Sequence, residues 1–156
     1  MSALDNLIRR LMSQRASLER AAAMVTQLSG PALEIGWGDG TAYDHLREIM
    51  RRREILVFDR HIPAPPEVPP AQANRFSGDP RETLPQAWER CRREAALAHL
   101  NIPSPRMAAE LAPLVAPMLR SGAVVITEVP LELPGWEQIA LSDTSRESRD
   151  YLYRVS

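Results

Sequence analysis

The stretch "ALEIGWGDGTAYDHLREI", residues 32 to 49, constrains the fold more than any other part of the chain. It begins with a short apolar run, which is typical of a buried strand, and from Thr41 onward its apolar residues recur at helical spacing. Between the two, glycine occupies alternate positions: Gly36, Gly38 and Gly40. A second apolar run, "EILVFD" at 54 to 59, follows. The order strand, glycine turn, helix, strand predicts a βαβ unit with parallel strands.

The rest of the chain extends this pattern. Helical spacing of apolar residues predicts a leading amphipathic helix over about residues 3–28. Apolar runs predict strands at 74–79, 95–102 and 122–129. One helical stripe between them consists of Leu84, Ala87, Trp88, Cys91 and Ala95. A later helix is predicted over 106–122, and its prolines at 113 and 117 are expected to make it irregular.

The end of the chain carries two alternating segments, at 136–141 and 149–155, with the polar "SDTSRES" and no helix between them. This predicts a closing antiparallel pair of strands. The whole pattern predicts a single α/β domain over 1–156, with helices on both faces of a mainly parallel seven-stranded sheet and an antiparallel C-terminal strand. The proline-rich "HIPAPPEVPPAQ" at 61 to 72 is expected to form a surface loop.

Charge and composition exclude several classes of function. Nineteen Lys and Arg balance twenty Asp and Glu, giving a net charge of -1, which provides no electrostatic footprint for nucleic acid or an anionic membrane. The single Cys91, which the pattern places on a helix surface, forms no internal disulfide, and no apolar run approaches the roughly 18 residues that span a bilayer. We therefore expect a cytoplasmic protein that binds small or neutral partners.

The glycine turn, residues 36–40, is the first candidate site. In sheets of this kind ligands bind beyond the carboxyl ends of the strands. The glycines permit positive φ and close approach of a ligand, and the helix from Thr41 presents free N–H groups to a carboxylate or phosphate. A tight turn that binds nothing explains the same pattern, so both interpretations stay open here.

Two acidic residues at neighbouring strand ends favour a nucleoside ligand. Asp59 closes the second strand, where a carboxylate can accept hydrogen bonds from the hydroxyls of a ribose. Asp79 follows the third strand, where it can accept the exocyclic amine of adenine. Three adjacent strand ends would then share one ligand.

The spacing of the glycines argues against a dinucleotide, because G-x-G-x-x-G requires glycine where Thr41 stands. Asp39 within the turn would also repel a pyrophosphate. S-adenosylmethionine (SAM) fits better, because its sulfonium tolerates Glu34, Asp44 and Asp59 nearby. A nicotinamide-dependent oxidoreductase remains an alternative.

Three segments, "ALEIGWGDG", "ILVFD" and "FSGDP", resemble the motifs of the class I SAM-dependent methyltransferases. More narrowly, "GPALEIGWGDGTAYDHLREI", "VFDR", "GDPRETLP" and "LPGWE" resemble a compact bacterial group without an assigned substrate. The resemblance implies a Rossmann-like three-layer fold, with Glu34 and the glycine turn at the methionine part of SAM, Asp59 at the ribose and Asp79 at the adenine. The full set of implied cofactor contacts is Glu34, Gly36, Trp37, Gly38, Asp39, Gly40, Tyr43, Asp44, Asp59, Arg60, Gly78, Asp79, Pro80 and Asn101.

Methyl transfer is an in-line displacement, so it needs alignment more than a covalent residue or a metal. Candidates for a base near the strand ends are His45, His99 and Glu128, with Asn101 as an orienting group. His45 is equally explained as an exposed helix residue, and His99 is expected to be a hydrogen-bonded core histidine. The three histidines lack metal-ligand spacing, so no metal site is predicted.

The expected activity is methylation of a small molecule, since the sequence shows no inserted substrate domain. A chain this short can complete its pocket by pairing, so a homodimer or higher homo-oligomer is expected, with the helix at 4–28 as a contributor. The alternative is a sensor or regulatory partner that binds SAM or S-adenosylhomocysteine without catalysis.

Overall fold

A computed structural model describes residues 1–62, 72–140 and 150–156. Within them, the strands are β1 (Ala32–Ile35), β2 (Ile55–Asp59), β3 (Arg75–Ser77), β4 (Ala95–Leu100), β5 (Leu119–Thr127), β6 (Trp136–Gln138) and β7 (Tyr151–Val155). The α-helices are α1 (Ala3–Met24), α2 (Thr41–Ile49), α3 (Pro80–Gln86) and α4 (Pro105–Val115). Most of the predicted proline loop and all of the polar segment at 142–148 lie outside the described residues.

The seven strands form one sheet in the order β3-β2-β1-β4-β5-β7-β6. The pairs among β1 to β5 are all parallel, whereas β7 runs antiparallel to both β5 and β6. This confirms the predicted mainly parallel sheet with its antiparallel C-terminal strand. Every residue of β1 and β4 is buried, because helices cover both faces of a parallel sheet.

Two apolar clusters fill the spaces between the sheet and the helix layer on each of its faces. On one face, Leu18 of α1 and Leu46 of α2 pack with Val57 and Leu97 of the sheet. On the other face, α3 and α4 pack against residues of β1 and β2 that include Leu33 and Phe58. The predicted three-layer α/β architecture is therefore confirmed.

Helix α1 begins with a capping box, in which Ser2 and Asp5 satisfy each other's backbone N–H groups. It ends at Met24, so the predicted end near residue 28 is wrong. The reason is local: the Thr26 hydroxyl donates to the carbonyl of Ala23, and the Arg53 guanidinium donates to that of Leu28 and closes the following turn. No helix in the described part of the chain is long and apolar enough to cross a membrane.

The helical stripe predicted from Leu84 to Ala95 is also wrong in its second half. Helix α3 ends at Gln86, and Ala95 opens β4. Arg93 has a φ of 54°, a left-handed conformation that no α-helix continues through. Cys91 lies buried in the connecting turn instead of on a helix surface, and burial raises the pKa of its thiol to about 11, so the thiol stays protonated at neutral pH.

The helix predicted over 106–122 stops at Val115, and β5 starts at Leu119 rather than at 122. Pro113 is accommodated within α4. Pro117 has no N–H with which to continue the helix, and it lies in a single 3₁₀ turn, Ala116–Met118, that leads directly into the strand. The predicted irregularity at Pro117 is confirmed, but its effect is to end the helix.

Candidate functional site

The carboxyl ends of the five parallel strands meet at one edge of the sheet. Ile35 pairs in register with Phe58 and Leu100, Asp59 with Ser77, and Leu100 with Thr127. The segments that follow these residues are the glycine turn, Arg60, Gly78, Asn101 and Glu128. The structure thus brings the predicted site residues of five separate segments to one edge, where α/β sheets bind ligands.

The three glycines of the turn have φ values of 91°, 59° and 84° in chain order. A Cβ on Gly36 would lie 2.4 Å from the backbone oxygen of Asn101, and one on Gly40 would lie 2.8 Å from the Trp37 ring. At these two positions the missing side chain makes room for the protein itself, as a turn without a ligand would require. Gly38 is exposed and meets only the Asn101 amide nitrogen, at 3.3 Å. Gly38 is therefore the glycine whose backbone is open to a ligand.

Trp37, the bulky residue between two of these glycines, turns its ring into the core. It is 2% exposed, and its ring centroid lies 5.1 Å from that of Tyr43, which is 1% exposed. The two buried rings lie on the core side of the glycine turn, with the Trp37 ring against Gly40. The packing explains both side chains, and their contacts with the cofactor stay a prediction.

Asp59 joins three segments of the edge. Its carboxylate accepts the Trp37 N–H at 2.5 Å and the Arg60 N–H at 2.6 Å, and its backbone oxygen accepts the Gly78 N–H at 2.9 Å. A carboxylate has about four acceptor positions, so Asp59 can accept two further donors. The hydroxyls of a ribose are donors of that kind.

Asp79 lies at the same edge as Asp59 and caps α3 by accepting the Arg81 N–H at 3.0 Å. The Arg81 side chain and Arg60 also approach its Oδ2, at 3.0 and 2.9 Å. Hydrogen bonding from Arg81 lowers the pKa of Asp79, so this carboxylate is ionised at neutral pH. Pro80 follows as the first residue of α3.

The amino end of α2 already has an anionic partner. Asp39 Oδ1 accepts the Thr41 N–H at 3.0 Å and the Thr41 hydroxyl at 2.6 Å, and the hydroxyl bond is the main reason why the pKa of Asp39 is lowered. A negative charge at a helix amino terminus is stabilised by the helix dipole. Asp44, the other acidic residue of this region, is exposed on α2. This end of the helix therefore suits a cationic ligand group better than a phosphate.

A cleft of about 540 Å³ opens between α1 and the strand edge. Its walls include Gly38 and Asp39 of the glycine turn and Asn101 and Glu128 at the strand ends. Sequence analysis missed Asp150, Arg10 and Gln14, which also line it. No local pattern marks them, because Asp150 reaches the cleft only through the insertion of β7 beside β5, and α1 reaches it through tertiary packing.

His45 lies away from this cleft. Its Nε2 is 3.1 Å from Glu19 Oε1, so the side chain links α2 to α1. It is not among the residues that line the cleft. A catalytic role for His45 stays a prediction to which the geometry adds no support.

Glu34 and His99 form a fully buried pair on neighbouring strands. They are in register on β1 and β4, and Glu34 Oε1 lies 2.7 Å from His99 Nδ1, although the angle is not that of an aligned hydrogen bond. Burial raises the pKa of Glu34. Burial also opposes the charged form of His99, but Glu34, Asp150 and Glu128 outweigh it and raise the pKa of the imidazole. His99 is thus a core histidine that faces a buried carboxylate, which raises the pKa of the imidazole.

This pair predicts that stability falls as pH rises. Burial raises the pKa values of Glu34 and Asp150, and the neighbouring carboxylates raise that of His99. The folded chain therefore binds more protons at these groups than the unfolded one. The contribution of His99 is complete below its unfolded pKa of about 6.5 and is lost as pH rises through the higher folded value. Urea unfolding at pH 6 and pH 9 measures the effect.

In the same experiment, we expect the double variant Glu34→Gln/His99→Gln to flatten the pH dependence, because it removes both buried titrating groups of the pair. His99→Gln alone would leave Glu34 buried with a raised pKa. His61→Gln removes an exposed histidine and should keep the wild-type slope. Equal slopes for the wild type and the double variant would show that the buried pair does not control it.

The fold and the strand edge together define a Rossmann-like α/β protein of the nucleoside-binding kind. The chain belongs to a family of S-adenosyl-L-methionine methyltransferases, whose model matches residues 1–155. The resemblance noted from the sequence is confirmed: the protein is a methyltransferase, and SAM is its cofactor. No curated protein sequence shows significant similarity to the chain.

Solved structures agree with this assignment. An S-adenosyl-L-methionine methyl transferase from Silicibacter pomeroyi is 36% identical, with a TM-score of 0.90 over 100% of this chain and 99% of the other. The O-methyltransferase NovP shares the fold at 13% identity and a TM-score of 0.62, over 92% and 80% of the two chains. Fibrillarin from Aeropyrum pernix, solved with natively bound S-adenosyl-L-methionine, shares it at 16% identity and a TM-score of 0.51, over 83% and 67%.

Proposed function

We propose that the protein transfers the methyl group of SAM to a small-molecule nucleophile by in-line displacement. The observation that carries the proposal is the cleft of about 540 Å³, which opens directly beside Gly38 and Asn101. This volume lies within the range of small-ligand sites. It is bounded on one side by the edge where SAM-binding residues were predicted, and on the other by α1.

The described residues fit the cofactor. Asp59 has acceptor capacity for the ribose, and Asp79, beside Arg60, Gly78 and Pro80, is ionised and lies on the same edge. The methionine part would lie over the glycine turn near exposed Gly38, with Glu34 buried beneath. When bound, SAM would supply an electrophilic methyl group on its sulfonium. After the methyl group is transferred, the sulfur is left as a neutral thioether.

The charge of the cleft supports a neutral or cationic acceptor. Among the described residues, carboxylates of Asp39, Glu128 and Asp150 lie on its wall, against the single guanidinium of Arg10. An anionic acceptor would be repelled by three carboxylates, whereas an amine or an uncharged hydroxyl would not. The same charges suit the sulfonium.

Glu128 is the group we propose to accept the proton of the acceptor, and Asn101 the group that orients it. Both line the cleft at the ends of adjacent strands, β5 and β4. Displacement at carbon requires nucleophile, methyl carbon and sulfur in one line, so holding the acceptor is the main task of these residues.

We also propose that residues 1–156 act as one cytoplasmic domain and that the protein assembles as a homo-oligomer. Support comes from the single sheet, which collects strands from Ala32 to Val155, and from the cleft, whose outer wall in the described part of the chain is helix α1.

Methyl-labelled SAM tests the proposal. The purified protein is incubated with labelled SAM and a bacterial extract. The mixture is then separated into small molecules, protein and RNA, and the small molecules are divided by cation exchange. We expect label in the small-molecule fraction, among neutral or retained cationic compounds, and an at least tenfold loss in Glu128→Gln with SAM binding unchanged. Label in protein or RNA would exclude the small-molecule acceptor, and SAM binding without transfer would favour the sensor.

A further inference from the structure

Helix α1 exposes an apolar surface that the domain does not cover. The exposed large hydrophobic residues of the described chain all lie within its first twelve residues: Met1 (77%), Leu4 (64%), Leu7 (41%), Ile8 (47%), Leu11 (47%) and Met12 (57%). Scattered exposed apolar residues are normal on a monomer, but confinement of all of them to one short segment is not. We call the set Met1, Leu4, Ile8, Leu11 and Met12 the α1 stripe, because these residues recur three or four apart and share one face.

The first three turns of α1 have no support from the rest of the domain. Each of residues 1–12 is exposed, and burial begins only in the second half of the helix, with Ser17, Leu18 and Ala21. Helices of about twelve residues are marginal in water unless an apolar face is packed. This half of α1 therefore needs a surface to pack against.

The exposed apolar area of α1 can be compared with the area that a stable dimer buries. The α1 stripe and the adjacent Leu7 together present roughly 600 Å², the upper end of the largest patch on a typical monomer. If the surface pairs with its own copy, the interface buries roughly 1,200 Å² in total, which reaches the lower bound of stable protein interfaces. Self-pairing supplies a partner of matching length and chemistry.

We propose that the α1 stripe is the interface with a second copy of this chain, in which the two α1 helices pack antiparallel about a two-fold axis near Ile8. In this arrangement the two domains, which begin at the fourth turn of each helix, lie at opposite ends of the pair. A parallel arrangement would bring Arg10 and Arg15 to the level of their own copies, whereas the antiparallel one separates them.

This interface adjoins the cleft, because Leu11 belongs to the α1 stripe and also lines the cleft beside Arg10. The partner's helix therefore lies at the rim through which an acceptor enters. A bilayer is the other surface that an amphipathic helix can cover. Residues 1–12 carry only Arg9 and Arg10 against Asp5, fewer basic residues than the four to eight that bind anionic lipid.

Light scattering after gel filtration tests the interface. We expect the full chain to have twice its mass of 17.5 kDa, about 35 kDa, and Ile8→Glu to have the mass of one chain. Asn6→Glu is the matched control, since it adds the same charge to the same exposed turn on the opposite face of the helix, and it should remain a dimer. Circular dichroism checks that all three chains are folded.

A cross-linking variant tests the geometry without weakening the stripe. Ile8→Cys should form a covalent dimer under mild oxidation, because a two-fold axis near residue 8 brings the two copies of that residue together. Asn6→Cys should not, and Cys91 is buried. A monomeric wild type at all concentrations, a dimeric Ile8→Glu, or equal cross-linking at residues 6 and 8 would overturn the proposal. A monomer that floats with anionic vesicles would assign the stripe to a membrane instead.

Discussion

Gly36→Ala is expected to lower the free energy of unfolding by about 3–5 kcal/mol, a large fraction of the 5–15 kcal/mol typical of a domain. Two effects add. At a φ of 91° a residue with a side chain is strained, and its Cβ would lie 2.4 Å from the Asn101 carbonyl oxygen, a backbone atom that cannot move without shifting the end of β4. Urea unfolding followed by far-UV circular dichroism measures the loss.

Gly38→Ala is the matched control for this prediction. It makes the same change two residues away at a φ of 59°, and its Cβ would meet only the amide nitrogen of the flexible Asn101 side chain, at 3.3 Å. The expected cost is about 1 kcal/mol, from backbone strain alone. Equal losses in the two variants would mean that backbone conformation, and not the approach of Asn101, fixes glycine at position 36.

The succession of strands along the chain and the positive φ of the glycine turn were predictable, because each depends on a short local sequence pattern. The buried strand β2 begins with the unbroken apolar run ILVF, and glycine is the residue that adopts positive φ without a steric cost. What fills the space above each glycine was not predictable. The Asn101 carbonyl directly follows β4, and its approach to Gly36 exists only once β1 and β4 have paired.

The ends of helices were predicted less well, for a related reason. Periodicity carried the predicted helix on to Ala95, but α3 ends at Gln86 and the turn before β4 contains left-handed backbone at Arg93, for which arginine gives no signal. His45 shows the same limit in the site. Its position after the glycine turn was clear, but the side chain faces Glu19 because of the way α1 packs on α2.

The part of the site that the sequence does specify is Asp59, since parallel β1 and β2 bring the end of β2 next to the glycine turn in any fold of this type. The carboxyl group of Asp59 accepts the N–H groups of Trp37 and Arg60, and the proposed ribose hydroxyls would add two more donors. These donors determine what an amide at position 59 would do to SAM affinity.

Asp59→Asn is expected to weaken SAM binding about 100-fold or more, which corresponds to the loss of one or two charge-assisted hydrogen bonds. The asparagine NH₂ is itself a donor, so wherever it points it opposes an N–H or a hydroxyl that the carboxylate accepted. Calorimetric titration with SAM measures the affinity, and unfolding without SAM measures how much of the change comes from the Trp37 contact.

Glu89→Gln removes the same charge from the exposed turn before β4, at the opposite edge of the sheet, and should bind SAM like the wild type. If Asp59→Asn and Glu89→Gln bind SAM equally well, Asp59 acts only on the glycine turn and the ribose lies elsewhere. If Asp59→Asn loses stability and affinity in equal measure, the carboxylate acts through Trp37. Only a loss of affinity that exceeds the loss of stability places the ribose hydroxyls on Asp59, because the ligand adds donors that the empty turn does not have.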